Sequence, residues 1–230
     1  MQQMQAAARA MTKTELIYDV LRRGILTLVY RPGTYLNIDE LARRNHVSPI
    51  PVREALARLV EERLVVIRPH FGAEVAPLDE TAVREVFAFL EGLETAAAED
   101  LVARVLSADI AALEEILGEI DDLRLPADLA ARDKANAAFH IRLVTIAALP
   151  GLLEQLRRGF DHWDRVRRYF SEISSNRGGL TAQKEHRAML SALKRKDGDL
   201  LRKLLHLHNA RARRVYLDGI AKMRCRSKGT

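Results

Sequence analysis

Cysteine occurs once in the 230 residues, as Cys225, so no internal disulfide can staple the fold, and a reducing compartment fits. No stretch approaches the roughly 18 apolar residues of a membrane-spanning helix, and the start MQQMQAAARAM lacks the apolar run of a signal peptide. The expected compartment is the cytoplasm, with no membrane partner. No HExxH pattern occurs, and no glutamate at a comparable spacing stands beside His140 or His186 as a general base. A zinc hydrolase needs such a base, so the expectation is that the chain is not an enzyme. Internal repeats and low-complexity tracts are absent as well.

What the chain does have is 48% hydrophobic residues, enough for one large or two modest domains, and a net charge of +6 that is unevenly spread. Residues 1–78 carry 11 basic and 8 acidic side chains, 79–135 carry 5 and 15, and 136–230 carry 21 and 8. A basic surface suits a phosphate backbone, yet the most basic third is the last one. Acidic helices of 79–135 packed on basic helices of 136–230 account for that pattern without any partner.

The first third reads as a compact head. Residues 13–29 put Leu16, Ile17, Val20, Leu21, Ile25 and Leu28 on one helical face, which Arg31, Pro32 and Gly33 terminate. Asn37 to Asn45 predicts a second short helix anchored by Leu41. His46, Val47 and Ser48 then turn into a third that begins SPIPVREALARL. Ser48 is placed to cap it, and Pro49 and Pro51 occupy a first turn in which no backbone N–H is needed. Val52, Ala55, Leu56 and Leu59 recur at core spacing. Ser48, Ile50, Arg53 and Ala57 are left facing outward, at an end that suits a major groove. Leu64–Ile67 and Ala73–Ala76 predict two strands around a turn at Pro69–Gly72, a wing, with a hinge at Pro77 and Leu78.

From Asp79 onward strand signals vanish, and six amphipathic segments follow near 79–104, 107–123, 126–148, 150–174, 180–196 and 198–222. Breaks fall at Ser107, Leu125–Pro126, Pro150–Gly151, Gly178–Gly179 and Asp197–Gly198. The expected fold is mainly α. A winged helix-turn-helix of three helices and a β-hairpin occupies residues 1–78, and a six-helix antiparallel bundle occupies 79–230.

Three of the seven histidines sit on different predicted helices. NAAFH puts Asn136 and His140 four residues apart on one face, His186 follows Glu185, and His208 lies on the last helix. One imidazole from each helix can form a three-histidine site, with Asn136 or water as the remaining ligand, suited to zinc, nickel or a similar divalent ion. Ordinary core or surface histidines give the same spacing, and both readings stand at this point. His206 is two residues from His208 and points off its face, and His162 beside Trp163 reads as packing or pocket lining.

Together, YDVLRRGILTLVYRPGTYL, LARRNHVSPIPVREALARL and LVVIRPHFGAEVAPL resemble the winged helix-turn-helix of GntR-type bacterial transcription regulators. The helical remainder resembles the FadR-type effector-binding (FCD) domain through LEGLE at 90–94, NAAFH at 136–140, EH at 185–186, KD at 196–197 and His208. Six helices look like the VanR-type branch. The resemblance spans about residues 14–220. It implies a homodimer on a pseudo-palindromic double-stranded DNA operator, commonly as a repressor, with an all-helical domain for effector binding and dimerisation. It also implies a divalent metal at Asn136, His140, His186 and His208 that holds a small organic acid by its carboxylate. A metal sensor with no organic effector is the alternative.

On that resemblance Arg53 is the candidate base contact, with Ser48, Ile50 and Pro51 beside it. Arg43, Arg44, Arg58 and Arg68 are candidates for phosphates, and His70 and Gly72 for the wing tip. Arg165 and Arg168, on the helix of Trp163, are candidate counter-charges for the acid. Three positions depart from the family pattern. Pro49 replaces an arginine that commonly reads a base, Asn136 replaces an aspartate of the metal shell, and Leu90 replaces an arginine near the pocket.

Overall fold

Thr12 opens the first helix with a reciprocal cap: its hydroxyl accepts from the Glu15 N–H at 3.1 Å, and the Glu15 carboxylate accepts from the Thr12 N–H at 2.7 Å. The computed structural model describes residues 11–123, 127–171, 173 and 179–227; the expected breaks at Leu125–Pro126 and at Gly178 lie outside them. The chain divides into two compact units, Met1–Leu78 and Asp79–Thr230.

The first unit holds α1 (Lys13–Leu26), β1 (Tyr35–Leu36), α2 (Ile38–Arg44), α3 (Pro49–Glu61), β2 (Val65–Arg68) and β3 (Gly72–Val75). Ile17, Leu21 and Ile25 of α1 pack with Val52, Ala55, Leu56 and Leu59 of α3 in one core, so the 3.6-residue period of both helices is spent on each other. Asn37 caps α2 through the Glu40 N–H. Ser48 stands at the N-cap of α3, but its side chain makes no capping bond. The reason is local: Pro51 at the third helical position has no N–H to donate.

The wing is a hairpin of β2 and β3 paired antiparallel from Val65↔Val75 to Arg68↔Gly72, its turn containing His70 and Gly72 at positive φ. The sequence reading has two strands here, whereas the sheet has three, in the order β1-β3-β2. β1 is only two residues long, too short to show a period of two, and is revealed by its pairing with β3. Leu21 is fully buried where α1 meets α3. Leu21→Ala should cost about 2–5 kcal/mol of first-unit stability, measured by denaturant unfolding, because both the buried methyls and their contacts are lost.

The second unit holds six helices among the described residues: α4 (Glu80–Arg104), α5 (Ser107–Asp122), α6 (Leu129–Ile146), α7 (Pro150–Tyr169), α8 (Gly179–Lys194) and α9 (Gly198–Ser227). Asp79 caps α4 through the Ala82 N–H at 2.9 Å. Along α4 the buried positions are Val83, Phe87, Leu90, Glu94, Ala97, Ala98 and Leu101, a stripe at three- and four-residue spacing interrupted by one carboxylate. α6, α8 and α9 have the same construction. His140 lies between buried Phe139 and Leu143, Gln183 and His186 precede Met189 and Leu190, and His208 and Asn209 follow Leu205. The bundle core therefore contains a polar layer built from four helices.

The charge asymmetry is absorbed within this unit. Arg142 pairs with Asp109 at 2.7 Å, Arg202 with Glu99 at 2.6 Å and Arg224 with Glu80 at 2.7 Å, and Lys194 and Arg187 pair with Glu114 and Asp121. Each joins the basic last third to the acidic middle, and such exposed pairs contribute about 0–1 kcal/mol apiece.

Candidate nucleic-acid face and metal-binding cavity

In the first unit the exposed outer face of α3 and the wing carry most of the residues singled out from sequence. Arg43, Arg44, Ser48, Ile50, Arg53, Arg58, Arg68, His70 and Gly72 are exposed, whereas Pro51 is buried and turns into the core instead of outward. Arg43 and Arg53 enter no ion pair among the described residues. Glu54, the neighbour best placed to neutralise Arg53, instead accepts from the Thr14 hydroxyl at 2.7 Å. Three other arginines are partly committed: Arg44 to Glu40, Arg68 to Glu74 at 2.8 Å, and Arg58 over the Tyr18 ring at 3.8 Å. One feature escapes a reading by periodicity. Tyr35 and Phe71 form an exposed aromatic pair on the wing, centroids 6.1 Å apart, brought together only by the third strand.

In the second unit, α6, α8 and α9 bring His140, His186 and His208 together. All three are buried, their ring centroids lie 4.8–5.1 Å apart, and one nitrogen from each falls within 4.8 Å of the others. Each ring has an acceptor near Nδ1. His208 Nδ1 bonds Glu185 at 2.8 Å, and His186 Nδ1 lies 3.4 Å from Gln183 Oε1. His140 Nδ1 is 2.7 Å from Glu94 Oε1, a contact close enough for an ion pair although not aligned as a hydrogen bond. The acceptors at Nδ1 of His186 and His208 favour the tautomer with Nε2 unprotonated, which is how proteins orient imidazoles toward a metal. Among the described residues, His186 Nε2 is buried without a hydrogen-bond partner, the condition a bound cation would relieve. The residues present therefore fit a divalent metal.

These acceptors are themselves held. Asn209 donates to Glu94 at 2.8 Å, and Arg211 grips Glu185 through two nitrogens at 2.6 and 2.7 Å. Burial pushes the Glu94 carboxyl up, but His140, Asn209 and His208 outweigh it and hold the group below its usual range. Burial likewise opposes ionisation of Glu185, yet its bonds to His208 and Arg211 bring it to about 2. Burial, reinforced by the neighbouring imidazoles and Arg211, pushes His186 well below the ordinary imidazole value. His208 is lowered by burial against the pull of Glu185. The neutral imidazole is the form a metal requires, and burial favours it at His186 and His208.

A pH dependence follows. His186 and His208 titrate lower in the fold than the ordinary imidazole value of 6.5, so the unfolded chain binds protons first as pH falls. Their contribution to stability is complete above about pH 6.5 and is lost below it; that of Glu185 is lost later, between about 4.5 and 2. Thermal melts of chelator-treated protein should show Tm falling from pH 7 to 5, with a shallower fall in His186→Ala. A flat Tm would contradict the buried neutral imidazoles.

The rings open on a cavity of about 120 Å³ whose wall includes Asn136, Arg132, Asp133, Phe87, Trp163 and Tyr216. Arg165 and Arg168 are not part of that wall. Arg165 is buried, its pKa lowered by burial to about 10, and Arg168 is exposed. Arg167, between them in sequence, lines the cavity with Arg132. Gln183 and Asn209 are also absent from the sequence reading, and Glu94 enters it only as the last residue of LEGLE, with no role at the histidines. For Glu94 the signal existed: a carboxylate at a core position of a helical stripe.

Residues 13–75 match the gntR family of bacterial regulatory proteins, and residues 85–211 match the FCD domain. An HTH-type transcriptional regulator encoded in an unstable DNA locus of Streptomyces ambofaciens is 29% identical over 96% of this chain and 91% of its own length. The HTH-type transcriptional repressor RspR of Escherichia coli K12 is 29% identical over 84% and 83%. A GntR transcriptional regulator from Rhodococcus sp. RHA1 shares the fold at TM-score 0.68, with 21% identity over 90% of this chain and 99% of that one.

Proposed function

This chain belongs to the gntR family of bacterial regulatory proteins and carries an FCD domain; it is a DNA-binding transcriptional regulator, not an enzyme. From that premise we propose that its hold on DNA is controlled by a small carboxylate bound at a divalent metal, zinc or nickel, in the helical unit. The observation that carries this is the convergence of three buried, oriented imidazoles on one cavity. His140, His186 and His208 would hold the ion, with Asn136 on the cavity wall beside them. When bound, the metal supplies an uncompensated positive charge for a carboxylate oxygen. Glu94, Gln183 and Glu185 orient the rings, and the surrounding apolar helices exclude water.

At the other unit, Arg53 at the exposed start of α3 would read a base edge while Arg43, Arg44 and Arg68 meet phosphates. His70 and Gly72 set the wing tip against the backbone or minor groove. Two copies on a pseudo-palindrome match protein to DNA symmetry, and the name of the RspR relative favours repression. A carboxylate alters DNA affinity only insofar as it binds the DNA-competent and incompetent arrangements unequally. Such a regulator works beside the chromosome, hence in the cytoplasm; no helix among the described residues is long and apolar enough to cross a membrane.

Calorimetric titration of nickel- or zinc-loaded protein with acetate, lactate, succinate and benzoate, repeated after chelation, tests the control element. Binding of at least one acid that disappears on chelation is the expected result. Acid binding indifferent to chelation overturns the proposal. If added metal alone shifts DNA binding and no acid binds, the ion itself is the signal.

A further inference from the structure

The cavity wall constrains what the carboxylate is attached to. Three guanidiniums line it, and each already faces an acid. Arg132 and Arg167 share Asp133, Arg167 also holds Asp164 at 2.8 Å, and Arg211 holds Glu185. Glu94 is engaged by His140 and Asn209, and Gln183 donates to Leu117 and Asp121 at 2.8 Å each. Each arginine of the wall thus has a carboxylate beside it, Arg132 and Arg167 sharing Asp133, with the Arg167 Nε buried without a hydrogen-bond partner among the described residues. The charge a metal would bring to the histidines is the largest one left to match, and it calls for a carboxylate at that end of the ligand.

Much of the remaining wall is aromatic. Trp163 of α7 stands edge-on to Phe87 of α4 and to Tyr216 of α9, each at 4.7 Å between centroids, and Phe87 and Tyr216 are 6.2 Å apart. Phe160 and Leu90 add further apolar surface. Two edge-on contacts and one tilted pair among these rings leave edges and faces that an additional ring pairs with favourably. Size sets an upper bound: a cavity of about 150 Å³ takes up one benzene, so the space of about 120 Å³ here leaves no room for more than one ring. A chain of hydroxyls would meet mostly ring carbon, the polar atoms of those rings being only the Tyr216 hydroxyl and the Trp163 N–H, and would leave several of its own polar groups unpaired.

We propose that the acid taken up at the histidine site is a small aromatic monocarboxylate, one ring bearing one carboxylate, with the ring packed among Phe87, Trp163 and Tyr216. This assignment rests on the metal-held carboxylate reading above and narrows its chemistry. The Asn136 amide is then one of the wall's polar groups that can meet the second carboxylate oxygen or a ring substituent.

Trp163 is the single tryptophan of the chain, so its emission reports on this wall alone. Zinc-loaded protein is titrated with benzoate, cyclohexanecarboxylate, acetate and succinate, following both fluorescence and heat. Benzoate should change Trp163 emission saturably and bind about tenfold or more tighter than acetate or succinate, and about threefold tighter than the saturated ring. In Trp163→Leu the benzoate-to-acetate ratio, read by heat, should fall below about threefold. The acid series on the wild-type protein decides the matter even where that variant does not fold. Equal affinity for benzoate and acetate, or tightest binding of succinate, overturns the aromatic assignment while leaving a metal-held carboxylate standing. Benzoate binding unchanged by chelation overturns the metal-held reading instead, and failure of every acid to bind overturns both.

Discussion

His186→Ala should abolish stoichiometric metal binding. Of the three imidazoles His186 is the one with a buried Nε2 lacking any partner, and its Nδ1 is turned toward Gln183, so its ring is oriented for nothing else in the described residues. Removing an orienting partner of a metal ligand typically weakens affinity 10–100-fold; removing the ligand itself should exceed about 100-fold, read by competition against a chromophoric chelator. His206→Ala is the matched control. His206 is exposed and paired with Glu91 at 2.6 Å, away from the three rings, and its loss should leave metal affinity within about twofold. Equal affinities in the two variants would remove His186 from the site.

Arg53→Ala should weaken operator binding by about 1–3 kcal/mol, roughly 5- to 150-fold, and flatten preference among sequences. The side chain is exposed on the helix that follows the turn, and Glu54 does not neutralise it, being bonded to Thr14. Arg43→Ala, by contrast, should weaken binding to all sequences about equally and reduce the salt slope by about one unit. Arg58→Ala belongs to neither class. Its guanidinium lies on the Tyr18 ring, so the expected loss is in stability of the first unit, about 0.5–2 kcal/mol. Binding of operator and random DNA by Arg53→Ala with undiminished preference would show that another residue reads the bases, Ile50 or the wing aromatics first among them.

Long periodic helices were readable from the sequence because burial imposes a period the eye can count: α1, α3 and α4 appear where apolar stripes recur. The last helix runs past the expected 222 to Ser227, since a polar, basic end has no apolar period to mark its stop. β1 is invisible for the opposite reason, being two residues fixed by pairing rather than pattern. Among site residues, histidines on three separate helices were conspicuous because imidazoles are scarce and chemically distinctive. The cavity arginines were not. Arg165, Arg167 and Arg168 follow one another at about 100° per residue around α7, and the sequence does not say which angle faces the cavity. Glu94 meets His140, and Asn209 meets Glu94, across helices, a relation that exists only once the bundle is packed, whereas Gln183 stands three residues before His186 on α8 itself.

X-ray absorption at the metal edge of protein purified without chelator, supplemented with zinc or nickel where needed, bears most directly on control of this regulator through a metal-held acid. The expected spectrum, for zinc, shows about one ion per chain with three imidazole nitrogens at about 2.0–2.1 Å and the remaining ligands light atoms. A sulfur shell, which would implicate Cys225, a purely oxygen shell, or protein that takes up neither ion would contradict it.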